Sequence, residues 1–222
     1  MTTRIPLFPL GTVLYPGLML PLHIFEDRYR QLVRELVDAP EGASRRFGVV
    51  AIREGREVGS DGIKALHDVG CMAELRQVEQ YEDGRYDIVT TGTTRFRLRG
   101  MDESMPYLQG DVDFLEEAGG TDAEVLVPGV TRLLGAYRQA LLSAQGMTGE
   151  LPELPTDPIV LSYLIAAAMV LDLSDKQRLL SAPDAATRLG LELILLRHEA
   201  SILSQLPSMP AVELTRVGYS RN

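Results

Sequence analysis

The sequence predicts an α+β chain, with a β-rich N-terminal half that holds one main helix and an all-helical C-terminal half. Three observations carry this. Asp83-Gly84 lies between two β-prone runs, a strong short-range hairpin signal. Asp157-Pro158 stands before a long apolar run, with Asp suited to an N-cap and Pro to the first helical position. Between them "EEAGGTD", Glu116 to Asp122, is a polar, glycine-bearing break where one periodicity gives way to the other. The change from strand to helix is expected between Glu117 and Asp122. The corresponding division is 1–118, 119–206 and an extended tail at 207–222.

The first element is the opening stretch "IPLFPLGTVLYPGLMLPLHIFEDRYRQLV". Its start reads as a short strand, a bend at Gly11 and a second short strand before Gly17. Proline confines such strands to edges or bulges. After Ile24 the spacing turns helical, with Phe25, Tyr29, Leu32, Val33, Leu36 and Val37 on one stripe. Glu26 and Asp27 suit the first turn, where the helix dipole favours negative charge, and Pro40 closes the element. "RFGVVAIRE", Arg46 to Glu54, reads as a buried strand, and the polar stretch Arg53 to His67 as a loop.

Gly70 to Gly100 reads as the hairpin. Tyr86, Ile88 and Thr90 alternate with Asp87 and Val89, and Phe96 and Leu98 alternate with Arg95, Arg97 and Arg99. That period of two puts the arginines together on one exposed face. They are expected to pair across the sheet with the acidic residues of Asp111 to Glu117. "PYLQGDVDFLEE" is the last strand. In the second half, Leu126, Val130, Leu133, Leu134, Tyr137 and Leu141 make an apolar stripe with Pro128 inside it. "IVLSYLIAAAMVL" is apolar on nearly all sides and predicts a helix buried among others. Ser174 is the expected cap of a short helix through Leu180. Pro183 opens a long one that buries Leu189, Leu193, Leu196, Ala200 and Leu203.

Several function classes are excluded or weakened. A secretory or membrane segment needs an unbroken apolar stretch, and Pro6, Pro9, Pro16 and Pro21 interrupt the opening one. The expectation is a soluble, cytoplasmic protein without membrane contact. A net charge of −9 argues against a nucleic-acid partner. Cys71 is the sole cysteine, so no intrachain disulfide forms.

The order of these segments resembles the N-terminal, substrate-binding domain of the Lon protease family. The resemblance is carried by "PLFPLGTVLYPGLMLPLHIFEDRY", "FGVVAI", "VGCMAELRQVEQYEDGRYDIVTTGTTRFRL" and "KQRLLSAPDAATRL". It implies a PUA-like β pseudo-barrel followed by a helical bundle. It also implies contact with unfolded or degron-bearing polypeptides, and a separate protease or chaperone as a further partner. RNA or a small ligand, which PUA-like domains of other families bind, is the alternative occupant, with Arg95, Arg97 and Arg99 as the phosphate contacts.

Chemistry is sparse. ATP binding needs a phosphate cradle of the form GxxxxGK[ST], and the two lysines, Lys64 and Lys176, do not follow a glycine. Neither stands in a setting that would activate a serine. His23, His67 and His198 are isolated, so no metal site and no cofactor is expected. Cys71 reads as a small buried hydrophobe, and Asp111, Asp113, Glu116 and Glu117 as solvated strand-face acids. A peptide surface is expected instead at Tyr15, Leu18 and Met19 and at Met101, Met105 and Tyr107, where large apolar residues stand beside turn-formers. Methionine tolerates many partner sequences because it is flexible and polarizable. Purified protein is accordingly expected neither to hydrolyse ATP nor to cleave casein-like unfolded substrates. Turnover that follows the protein through gel filtration contradicts this.

Overall fold

The computed structural model describes residues 2–40, 42–55, 63–144, 147 and 153–205. Among the described residues seven strands precede four of the five helices. The strands are β1 (Thr3–Leu10), β2 (Met19–Ile24), β3 (Arg46–Gly55), β4 (Ile63–Leu66), β5 (Val69–Gln80), β6 (Tyr86–Asp102) and β7 (Gln109–Phe114). Helix α1 (Asp27–Val37) lies between β2 and β3. The others are α2 (Ala123–Ala144), α3 (Pro158–Ala168), α4 (Leu173–Ser181) and α5 (Ala185–Gln205). Among the described residues no strand follows Phe114, and no helix is long and apolar enough to cross a membrane. The expected tail at 207–222 lies outside the described residues.

One mixed sheet turns back on itself. Strand β1 pairs antiparallel with β7 through Thr3–Pro6 and parallel with β3 through Leu7–Leu10. Its two halves therefore close a ring of β1, β7, β6, β5 and β3, with β2 added along β6 and β4 along β3. The run "FGVVAI" is buried throughout because its strand is covered on both faces. Alternation sends Val50 and Ile52 to one core with Ile5, Leu7 and Phe96, and Phe47 and Val49 to another under α1. Phe96 fills the first core so closely that strand neighbours must be glycine. A Cβ on Gly48 would stand 2.7 Å from Ile5 Cδ1 and 2.9 Å from Phe96. One on Gly70 would meet the Phe96 ring and the Val49 carbonyl.

The hairpin forms at the expected place. Gly84 has φ of +80°, a conformation that suits glycine, and Asp83 Oδ1 accepts from Arg85 N at 3.1 Å. The cap at Asp157 also forms, its carboxylate accepting from Val160 N at 2.9 Å.

Four local expectations are corrected. The second strand begins at Met19, after the Gly17 turn, because Gly17 N and Gly92 N are drawn to Gly92 O and Leu18 O along β6. The stretch read as a loop from Arg53 contributes the end of β3 and the short β4. Phe25 lies before the first turn of α1 and is exposed. Asp172, not Ser174, caps α4: Asp172 Oδ1 accepts from Asp175 N at 2.8 Å, while Ser174 sits inside the first turn.

Candidate functional site

The proposed peptide surface is divided by the fold. Met19 starts β2 opposite Thr91 of β6 and is 73% exposed. Met101 lies opposite Gly110, at the far end of β6, and is 52% exposed. Met105 is exposed in the turn that follows, and Leu18 is half-buried between two cores. The two tyrosines are corrections, because both are core residues. Tyr15 donates its hydroxyl to Lys176 O at 2.9 Å and so ties the loop before β2 to α4. Tyr107 packs in the core under α1 and donates to a Glu35 carboxylate oxygen. Burial, then that hydrogen bond, pushes the Tyr107 phenol up to about 12. A tyrosine can bury its ring beside a turn whenever its hydroxyl finds an acceptor, and each of these does.

The arginine row is also divided. Arg99 is exposed and donates Nε to Asp113 Oδ2 at 2.7 Å, the expected cross-strand pair. Asp111 is instead taken by Arg4, at 2.9 Å. Arg97 is exposed. Arg95 is 1% exposed, against the expectation of a solvated face. The reason is α4, whose C-terminal end sits over this part of β6. Arg95 Nη1 donates to Leu180 O at 2.8 Å and to Ala182 O at 2.6 Å. These carbonyls lie at the helix end, where the dipole is negative and partners within the helix run out. The other side of the guanidinium meets Glu117, with Nε to Oε1 at 2.6 Å and Nη2 to Oε2 at 3.3 Å.

Glu117 also gathers α3 and α5. Tyr163 of α3 donates its hydroxyl to Glu117 Oε2 at 2.7 Å. Arg188 of α5 donates Nη2 to that hydroxyl at 2.8 Å, Nη1 to Ser162 Oγ at 2.8 Å and Nε to Leu179 O at 3.0 Å. Its guanidinium carbon stands 3.8 Å from the Tyr163 ring centroid, a cation–π contact. Burial pulls the Arg188 guanidinium below its ordinary value. One turn further along α5, Glu192 is fully buried, and neither carboxylate oxygen has a hydrogen-bond partner among the described residues. Burial holds its carboxyl well above the usual range, with the Arg188 charge opposing. The alternation and the helical stripe were read without burying Arg95, Arg188 or Glu192. The usable signal was weak: Arg188 and Glu192 are four apart on the stripe that also buries Leu189 and Leu196.

Little else is arranged for catalysis. His23 Nδ1 meets Asp87 Oδ1 at 2.5 Å, and Tyr81 donates to Asp87 Oδ2 at 2.6 Å. These bonds, Tyr81's first, hold the Asp87 carboxyl below the usual range. Beyond the ring, His23 Nε2 faces Arg85 Nη1 at 3.5 Å rather than a nucleophile. Cys71 is fully buried, and that burial pushes its thiol up to about 12, so it is not a thiolate at neutral pH. Among the described residues no cluster of three or more His, Cys, Asp or Glu could hold a metal ion. A groove of about 470 Å³ was not foreseen; it runs along α2, lined by Val127, Pro128, Leu134, Leu154 and Pro155 with Arg132 and Arg138 at its sides.

Comparison with known proteins is consistent across sequence and structure. The family described as the ATP-dependent protease La (LON) substrate-binding domain matches residues 4–198. Lon protease 2 of Myxococcus xanthus is 28% identical over 203 residues, which is 90% of this chain and 24% of that protein. Lon protease of Anaeromyxobacter dehalogenans is 27% identical over the same length and share. The chain thus spans about a quarter of the length of these curated relatives. The fold is similar to a Lon N-terminal domain protein from Xanthomonas campestris, with a TM-score of 0.60, 24% identity and 86% of this chain and 98% of that one covered. It is also similar to the N-terminal domain of Mycobacterium avium complex Lon protease, with a TM-score of 0.61, 21% identity and coverage of 90% and 98%.

The buried acid at Glu192 makes stability depend on pH. Its folded-state value is raised, so the folded protein binds a proton that the unfolded chain has released above about pH 4.3. The stability it contributes is complete below that value and falls as pH rises towards the folded value. Glu192→Gln is expected to leave stability at pH 4.5 nearly unchanged and to raise it at pH 8, read as a higher midpoint in urea unfolding. A difference independent of pH contradicts the assignment.

Proposed function

Because the chain belongs to the LON substrate-binding domain family, we propose that it is a non-catalytic module that holds polypeptides. The single observation that carries this is the family match across residues 4–198. The occupants we propose are unfolded or degron-bearing polypeptides, handed to a separate protease or chaperone in the cytoplasm. We further propose a division into a PUA-like strand unit, 1–118, a helical bundle, 119–206, and a tail, 207–222. The closed ring of strands and the four successive helices support that division.

Exposed, adaptable apolar side chains are what a sequence-tolerant polypeptide receptor needs. Met19, Met101 and Met105 supply them on the strand half, and the groove along α2 supplies an apolar recess on the helical half. Leu18 lies beside Met19, and Tyr15 and Tyr107 support these segments from inside. The RNA alternative loses much of its basis. Arg95 is buried and Arg99 is ion-paired, which leaves Arg97 alone of the row to meet a phosphate.

Fluorescence anisotropy with a labelled, permanently unfolded polypeptide tests the proposal. Wild-type protein is expected to bind it. Met101→Ser with Met105→Ser is expected to weaken binding about tenfold, corresponding to about 1.4 kcal/mol. The melting temperature should move little, because both side chains are already exposed. No binding by wild type, or a large fall in melting temperature with binding intact, contradicts it.

A further inference from the structure

We infer that the outer edge of β2 receives a bound polypeptide as an added strand, paired backbone to backbone, an inference that rests on the polypeptide-binding function proposed above. Strand β2 pairs with β6 through Met19–Ile24, and β6 is its one strand partner among the described residues. Gly92 N donates to Leu18 O at 2.8 Å, so the even-numbered residues turn their backbone groups towards β6. Alternation turns those of Met19, Pro21 and His23 the other way. Proline costs the β6 ladder nothing at this phase, because its missing N–H would have pointed outward. The outer edge therefore carries three carbonyls and the N–H groups of Met19 and His23, over about 14 Å. Among the described residues no turn, loop or helix backbone bonds to them. All three residues are exposed, Met19 at 73%.

Donors and acceptors recurring at every second residue along a straight edge are the complement of another strand. An anion can accept from the two N–H groups but has no donor for the carbonyls. A helix has already spent its backbone groups on itself. Natural edges are shielded by charged side chains, bulges or a covering element, and the outward residues of β2 include no lysine, arginine or carboxylate. The shielding device present is Pro21, and it acts against a second copy of this chain. In the antiparallel register that pairs all three outward residues of two copies, Pro21 faces Pro21 and both bonds of that pair are lost. A net charge of −9 on each copy opposes the association further. A foreign strand without proline forgoes one bond at Pro21 and can make the rest.

The side chains along the edge narrow the ligand. Met19, Pro21 and His23 stand on one face, and Phe25, 50% exposed, stacks on His23 with ring centroids 6.2 Å apart. Neighbours of this kind favour apolar or β-branched residues at every second position of the incoming strand. The substrate class is an extended, proline-free segment with alternating apolar residues.

Hydrogen exchange of the full chain, alone and saturated with acetyl-Ser-Val-Thr-Val-Thr-Val-Ser-amide, tests this. The amides of Met19 and His23 are expected to exchange freely in the unbound protein and at least tenfold more slowly in the complex. The same peptide N-methylated at two adjacent central residues, which blocks both of its edges, should bind at least tenfold more weakly. His23→Pro, which removes an outward N–H, should bind the peptide about tenfold more weakly than His23→Ala, which loses the same side chain and keeps that N–H. No binding of the peptide, unchanged exchange at Met19 and His23, or equal binding of the methylated peptide overturns the inference, whether or not His23→Pro folds. Equal binding by folded His23→Pro and His23→Ala overturns it as well. Anisotropy with the unfolded polypeptide separates the two claims. Capture that persists without protection of Met19 and His23 overturns the added strand alone, and absence of capture by wild type overturns the polypeptide function with it.

Discussion

The rest of the structure depends on the guanidinium of Arg95. It is a charge carried on a strand, taken out of water and held between a carboxylate and the end of a helix. A buried ion pair is costly to form, and its stability relative to an apolar replacement is often small. What it enforces is geometry. Removing one partner leaves the other charge stranded, a loss of about 3–5 kcal/mol, so arrangements that separate β6 from α4 are strongly disfavoured. Glu117 extends the constraint through Tyr163 and Arg188, so a single carboxylate links the chain after β7 with α3 and α5. Tyr15 adds a second tie from the loop before β2 to α4.

This arrangement holds two kinds of surface, exposed methionines and a polar recess, on one support. The exposed methionines stand on strands and turns whose interior is filled by Phe96 and the core under α1. They are presented by a rigid support while remaining adaptable themselves. The polar recess lies beside the joint, since Arg97 is two residues along β6 from Arg95, and Gln177 and Ser181 are on the helix whose last carbonyls Arg95 binds. Its walls are fixed by the same contacts that fix α4.

Much of the fold was legible because local signals and tertiary structure agree. Asp83-Gly84 makes the hairpin, Asp157 caps α3, and the alternation through Tyr86, Ile88 and Thr90 matches their burial. The misreadings share a cause. Alternation says which side chains share a face, but not what later packs on that face. Arg95, Arg97 and Arg99 obey the period, yet α4 covers the first and leaves the others to solvent. Tyr15 and Tyr107 stand beside turns, and only the distant acceptors Lys176 O and Glu35 explain their burial. Glu192 was hidden for the opposite reason: a carboxylate on an apolar stripe is ordinarily assigned to the solvent side, and its burial follows from the crowding of α5 among its neighbours.

Native-state hydrogen exchange tests the joint most directly. If Arg95 and Glu117 bind strands and helices into one cooperative unit, the most protected amides of β6 and those of α3 and α5 should open with the same free energy and the same denaturant dependence. Opening of the helical amides at a free energy well below that of β6, with a smaller denaturant slope, would show that the helices unfold on their own and would contradict the account.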